Sequence, residues 1–155
     1  MSQFRIEKTR VPVVVTLIGG APPINGEVFV QLYTQLRSGP EQPEDLLNSV
    51  EPFFPLAESS GETVMIAKDL VREVIVVDED AAGPSVVPGI ESSIVEVILV
   101  DGACHAGAVL LDVPIEHPRL LDFLNYFQRR FLALHTTDGL RLVNRRLVAR
   151  VRPLD

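Results

Sequence analysis

The residue types best suited to chemistry in this chain are seven arginines near its end: Arg129, Arg130, Arg141, Arg145, Arg146, Arg150 and Arg152. A guanidinium presents a planar fork of donors that matches a carboxylate or phosphate two-to-two, so several converging arginines form an anion- or partner-binding patch. Arg141, Arg145, Arg146, Arg150 and Arg152 are the candidate patch, because the apolar spacing puts them on late strands or the turn between. The positions that align with them earlier in the chain are Thr63, Lys68, Asp69, Glu73 and Ile75, so the basic face is expected on one side of the molecule only. Arg141-x-x-x-Arg145 matches the first half of a PilZ-type second-messenger box, but no Asp-x-Ser-x-x-Gly follows.

Other reactive types are sparse. His105, His117 and His135 have no second His, Cys or carboxylate at ligand spacing. Cys104 and His105 are neighbours, and neighbours on a strand point to opposite faces, so no metal site is expected. Cys104 falls in a turn with no inferable base. Ser59-Ser60 and Ser92-Ser93 lack a Gly-x-Ser-x-Gly elbow. Gly19-Gly20 precedes Ala-Pro-Pro and not a helix, which excludes a phosphate loop. No catalytic residue, metal or cofactor is expected, and the reading is not an enzyme. One cysteine excludes a disulfide framework and suggests a reducing, cytoplasmic setting. The longest apolar run, Val11–Ile18, is too short to span a membrane. A net charge of −7 over 155 residues argues against nucleic acid as the partner.

Two blocks of similar pattern must position these residues. Val13–Ala21 aligns with Val95–Ala103, Gly26-Glu-Val28 with Gly107-Ala-Val109, Asp45–Asn48 with Asp122–Asn125, and Met65–Val74 with Leu142–Val151. The turn glycines Gly20 and Gly102, the strand glycines Gly26 and Gly107, and the polar pairs Asp45/Asn48 and Asp122/Asn125 recur at matching places. The polar pairs read as helix-end residues, an acid complementing the first turn and an Asn near the last. The expected organisation is a first repeat over 1–77, an acidic Gly/Pro linker over 78–93 and a second repeat over 94–155. Residues 1–77 hold six bases against ten acids, and 94–155 hold eight against seven. Any anion-facing surface therefore belongs to the second half.

Each copy reads strand–strand–helix–strand–strand–strand. Alternation is clear in Val95–Val100, with Asp101-Gly102 as the turn and Gly107–Leu111 returning. Copy one does the same from Val13 to Ile18 and from Gly26 to Tyr33. Pro43 opens a helix with Leu46, Leu47 and Val50 as its apolar face. Pro118 opens the second, with Leu120, Leu121, Leu124 and Phe127. The order of hydrophobics Val97-x-Leu99-x-Asp101-Gly102, Gly107-x-Val109 and Phe131-x-Ala-Leu134 resembles the Sm/Hfq-type, SH3-like small β-barrel. That resemblance implies a mainly β fold with short helices: two tandem barrels, each with a helix inserted between its second and third strands, packed about a pseudo-two-fold axis. The inserted helix displaces the loop that carries part of the family's RNA-contacting positions, so RNA binding is not implied there. The Leu-Asn…Phe-x-x-Leu…Val pattern also resembles bacterial domains of unknown function, which implies no activity. Uncovered helix faces or open strand edges could drive homodimerisation. The functional expectation is a protein–protein interaction module, an adaptor or regulatory scaffold. The competing reading is nucleic-acid or nucleotide binding on the second-repeat arginines.

Overall fold

The computed structural model describes residues 8–31, 41–77 and 89–155. Of the described residues, 54% are in strands and 15% in α or 3-10 helix, so the structure is mostly β. It divides into two compact units, Met1–Val77 and Asp78–Asp155.

In the first unit β1 (Lys8–Leu17) and β2 (Ile24–Gln31) form a hairpin. The short helix α1 (Pro43–Asn48) leads to the hairpin β3 (Phe53–Glu58) and β4 (Thr63–Ala67), and a 3-10 turn over Lys68–Leu70 leads into β5 (Val71–Val77). Pairing is antiparallel in the order β5-β1-β2-β3-β4. Alternation sends Val13, Val15, Val28, Val30, Phe54, Leu56 and Ile66 inward, all at most 6% exposed.

The second unit has the same element order: β6 (Ser92–Leu99), β7 (Cys104–Leu110), α2 (Leu120–Tyr126), β8 (Phe131–Thr136), β9 (Gly139–Asn144), a 3-10 turn over Arg145–Leu147, and β10 (Val148–Pro153). Its strands run β10-β6-β7-β8-β9. Val95, Val97, Leu99, Val109, Leu132, Leu134 and Val143 make its core, with Phe123 of α2 packed against them.

Two Sm-like barrels are not what the chain forms. Among the described residues, β4 and β5 stand at opposite ends of their order and do not pair with each other, nor do β9 and β10. A barrel requires its terminal strands to pair; within each unit the strand order is open. The three-residue 3-10 corner explains the order, because it carries the chain from one end strand to the other where a hairpin turn would have laid β5 against β4. The helical insertions are also slight, six and seven residues. Val50 lies beyond α1 and is 89% exposed, and Leu121 of α2 is 57% exposed, so neither joins the expected apolar faces; Pro43, Leu47 and Phe123 are the buried residues there. Ser92 and Ser93, the last two residues of the expected linker over 78–93, belong to β6. Residues 78–88, like Leu32 and Tyr33, lie outside the described residues.

A strand glycine sets the spacing of neighbouring strands in each unit. A Cβ on Gly26 would lie 2.6 Å from the Ala57 carbonyl oxygen and 3.0 Å from Leu56 Cγ; on Gly107 it would lie 2.6 Å from the His135 oxygen and 2.8 Å from Leu134 Cγ. Only glycine admits so close an approach of backbone to backbone. Gly20 and Gly102 are glycine for another reason, with φ of 81° and 92° and open space around them.

Candidate functional site

The aspartates that recur in both halves do the same structural task. Asp45 Oδ2 accepts the Gln42 backbone N–H at 2.8 Å, and Asp122 Oδ2 accepts that of Arg119 at 2.9 Å, each at the start of its helix. Arg119 also donates from Nε (3.1 Å) and Nη2 (3.1 Å) to the Asp122 carboxylate, and these bonds hold that carboxyl below the usual range. Asn48 ends α1 half-buried, and Asn125 lies exposed in α2.

At the far end of α1 stands a residue that sequence reasoning passes over. Lys68 is fully buried, and its Nζ donates to the carbonyls of Leu46 (2.9 Å) and Ser49 (3.2 Å) and to Ser49 Oγ (2.8 Å). The helix end leaves carbonyls without intrahelical partners, and the ammonium supplies donors to them. Arg145 occupies the matching position after β9, where its Nε donates to the Arg129 carbonyl at 3.1 Å and its backbone N–H to that of Arg130 at 2.9 Å.

The five candidate arginines are spread across the second unit. Arg141 lies on β9, Arg145 and Arg146 on the 3-10 turn, and Arg150 and Arg152 on β10. Though close in sequence, β9 and β10 are the two end strands of the unit's order, with β6, β7 and β8 between them. Arg152 Nη2 is bonded to Glu96 Oε1 on the neighbouring β6 at 3.0 Å. Arg146 and Arg150 are exposed.

Arg141 instead is one of the residues lining an open cleft of about 530 Å³, together with Ile94, Cys104, His105, His135 and Asp138. Beside it, β7 and β8 pair at one register position, Ala108 opposite His135. In the first unit the matching strands β2 and β3 pair at three, Gly26–Glu58, Glu27–Ala57 and Val28–Leu56, with a further bond from Ser59 N–H to the Asn25 carbonyl at 3.1 Å. Arg141 sits opposite Leu134, where the first unit has Val64 opposite Leu56. Burial pushes the His135 imidazole below its ordinary value. No group of three or more His, Cys, Asp or Glu among the described residues could hold a metal ion.

Stability should therefore depend on pH through His135. An imidazole whose folded pKa is depressed takes its proton more readily in the unfolded chain, so stability falls as pH drops through the ordinary value of 6.5 and levels off below the folded value. Urea midpoints measured from pH 7.5 to 5 should decline more steeply for the native chain than for His135→Gln; parallel curves would contradict this.

Strands β4 and β10, each at one end of its unit's order, differ in how their outer edges are finished. On β10, Leu154 N–H donates inward to the Ile94 carbonyl, which turns residues 151 and 153 outward; residue 153 is proline and has no N–H to offer. A register shift between Val148 and Arg150 breaks the edge further, and Arg150 and Arg152 put charge on it. Proline, irregularity and charge are the devices that prevent strand addition. On β4, the bonds from Lys68 N–H to the Pro52 carbonyl and from Glu58 N–H to the Glu62 carbonyl fix the even-numbered residues inward. Thr63, Met65 and Ala67 therefore aim their N–H groups outward, and none of the blunting devices interrupts them. Met65 is 66% exposed and Phe53, on the same face of β3, 56%. An apolar residue at an outward position of an alternating strand is the signal by which sequence reading could single out Met65.

No helix among the described residues is long and apolar enough to cross a membrane. No protein-family description, curated protein or solved structure matches the chain.

Proposed function

We propose that this protein is a non-enzymatic protein-interaction module, and that its partner adds an extended segment as a further strand alongside β4. Among the described residues the outer edge of β4 lacks the devices that blunt β10, and this is the observation that carries this reading. Strand addition draws affinity from backbone hydrogen bonds and specificity from the side chains on the shared face. Here Thr63, Met65 and Ala67 offer the backbone groups, and Met65 and Phe53 offer an apolar face. Glu51, Glu62 and Asp69, all exposed, surround it. The complementary partner is an extended segment with apolar residues at alternate positions and basic flanks. The matching element order and the shared Gly26 and Gly107 contacts support reading the two units as copies of one duplicated element.

Met65→Lys tests this without touching the core, since the substitution points outward and installs the charge that β10 already carries. In capture from nuclease-treated lysate, the variant should lose a partner held by the native chain, with affinity reduced about tenfold or more, while its urea midpoint stays unchanged. Retention by Met65→Lys together with loss on Arg150→Ser plus Arg152→Ser would overturn the reading. Recovery of nucleic acid in untreated lysate, with nothing left after nuclease, would do so as well.

A further inference from the structure

We infer that Met65 is a site of reversible oxidation, and that turning its thioether into the sulfoxide releases the segment added along β4. The inference rests on the strand-addition reading above.

The placement of the residue carries it. Met65 is the middle one of the three β4 residues that aim their N–H groups away from β3, and it is 66% exposed. Its sulfur is therefore open to a dissolved oxidant and central to the face on which an added strand lies. Met65 and Met1 are the only methionines in the chain. Met65 stands opposite Pro55 on β3; its counterpart in the second unit, Leu142, stands opposite Ala133 on β8 and is fully buried. A leucine thus fits this register position of the repeat. Leucine has no sulfur to oxidise, so the methionine adds an oxidant sensitivity that packing against a neighbouring strand does not require.

The chemistry is a two-electron oxygen transfer from a hydroperoxide. The thioether sulfur attacks one peroxide oxygen and the O–O bond breaks. The departing oxygen takes the proton of the transferred one and, with hydrogen peroxide, leaves as water. Sulfur is oxidised and the peroxide reduced. Two thiols reverse the step, giving back the thioether with a disulfide and water. In the free chain the sulfoxide oxygen faces solvent, so the fold does not register the change. Under an added strand it is taken out of water beside apolar side chains, while the strand's own N–H groups are committed to the backbone ladder. A polar oxygen buried without a donor opposes binding.

Hydrogen peroxide applied to the Cys104→Ser chain, in which no thiol competes, tests this. Peptide mass spectrometry should find the added oxygen at Met65, with the urea midpoint unchanged. Treated and untreated chains then capture from nuclease-treated lysate side by side, and the treated chain should hold the partner about tenfold or more less tightly. Reduction by a thiol-dependent methionine sulfoxide reductase should restore capture. Met65→Leu should hold the partner with or without peroxide treatment, and Met65→Gln, which carries comparable polarity, should lose it with none. Failure of Met65 to gain oxygen, equal capture once the sulfoxide has formed, or a peroxide-dependent loss that persists in Met65→Leu would each overturn the redox role and leave strand addition standing. A partner indifferent to Met65→Lys would remove strand addition, and this inference with it.

Discussion

Lys68→Ala should cost about 3–5 kcal/mol, as much as truncating a buried aromatic of the core. A buried ammonium is tolerated only when its donors are matched, and three oxygens match it here: Leu46 O, Ser49 O and Ser49 Oγ. Truncation removes these bonds from the partly buried end of α1 and opens the volume of a four-carbon stem. Lys68→Met separates the contributions, because it keeps most of the packing and loses only the bonds; about 2 kcal/mol should remain lost. Arg145→Ala, at the exposed counterpart whose Nε bonds the Arg129 carbonyl, should cost about 1 kcal/mol. Urea unfolding of the three variants gives the ranking, and a Lys68→Met variant as stable as the native chain would show that the ammonium is not what holds α1 against the 3-10 turn.

Gly26→Ala and Gly107→Ala should each cost about 2–3 kcal/mol. The obstacle in both is a backbone carbonyl at 2.6 Å, which cannot swing aside as a side chain would. The strands must move apart, and the leucine behind them, Leu56 or Leu134, is itself fully buried with nowhere to go. Gly20→Ala and Gly102→Ala provide the comparison. Their added Cβ meets nothing, so only the positive φ is penalised, at about 1–2 kcal/mol. Thermal melts that ranked the turn glycines above the strand glycines would contradict the close-approach argument.

Much of the strand pattern is legible in the amino-acid sequence itself. Val95–Val100 alternates, and β6 lies over it; Asp101-Gly102 reads as a turn, and Gly102 has the positive φ a turn demands. These are local signals, set by side-chain period and turn chemistry. Sheet closure is not local. It depends on whether strands at opposite ends of the order meet, and apolar spacing is the same for an open sheet and a barrel. The same limit applies to the arginines: β9 and β10 are separated by three residues in sequence, yet three other strands stand between them in the sheet. Lys68 escapes notice for another reason. A lysine beside a strand end looks solvated in sequence, and only the arrival of α1 next to it makes it buried.

Backbone amide exchange on the chain with its captured partner tests the central claim most directly. If the partner adds a strand to β4, the outward amides of Thr63, Met65 and Ala67 become protected in the complex, while Val64 and Ile66, already turned toward β3, change little. Unchanged exchange at Thr63, Met65 and Ala67, with protection appearing instead along β10, would contradict it.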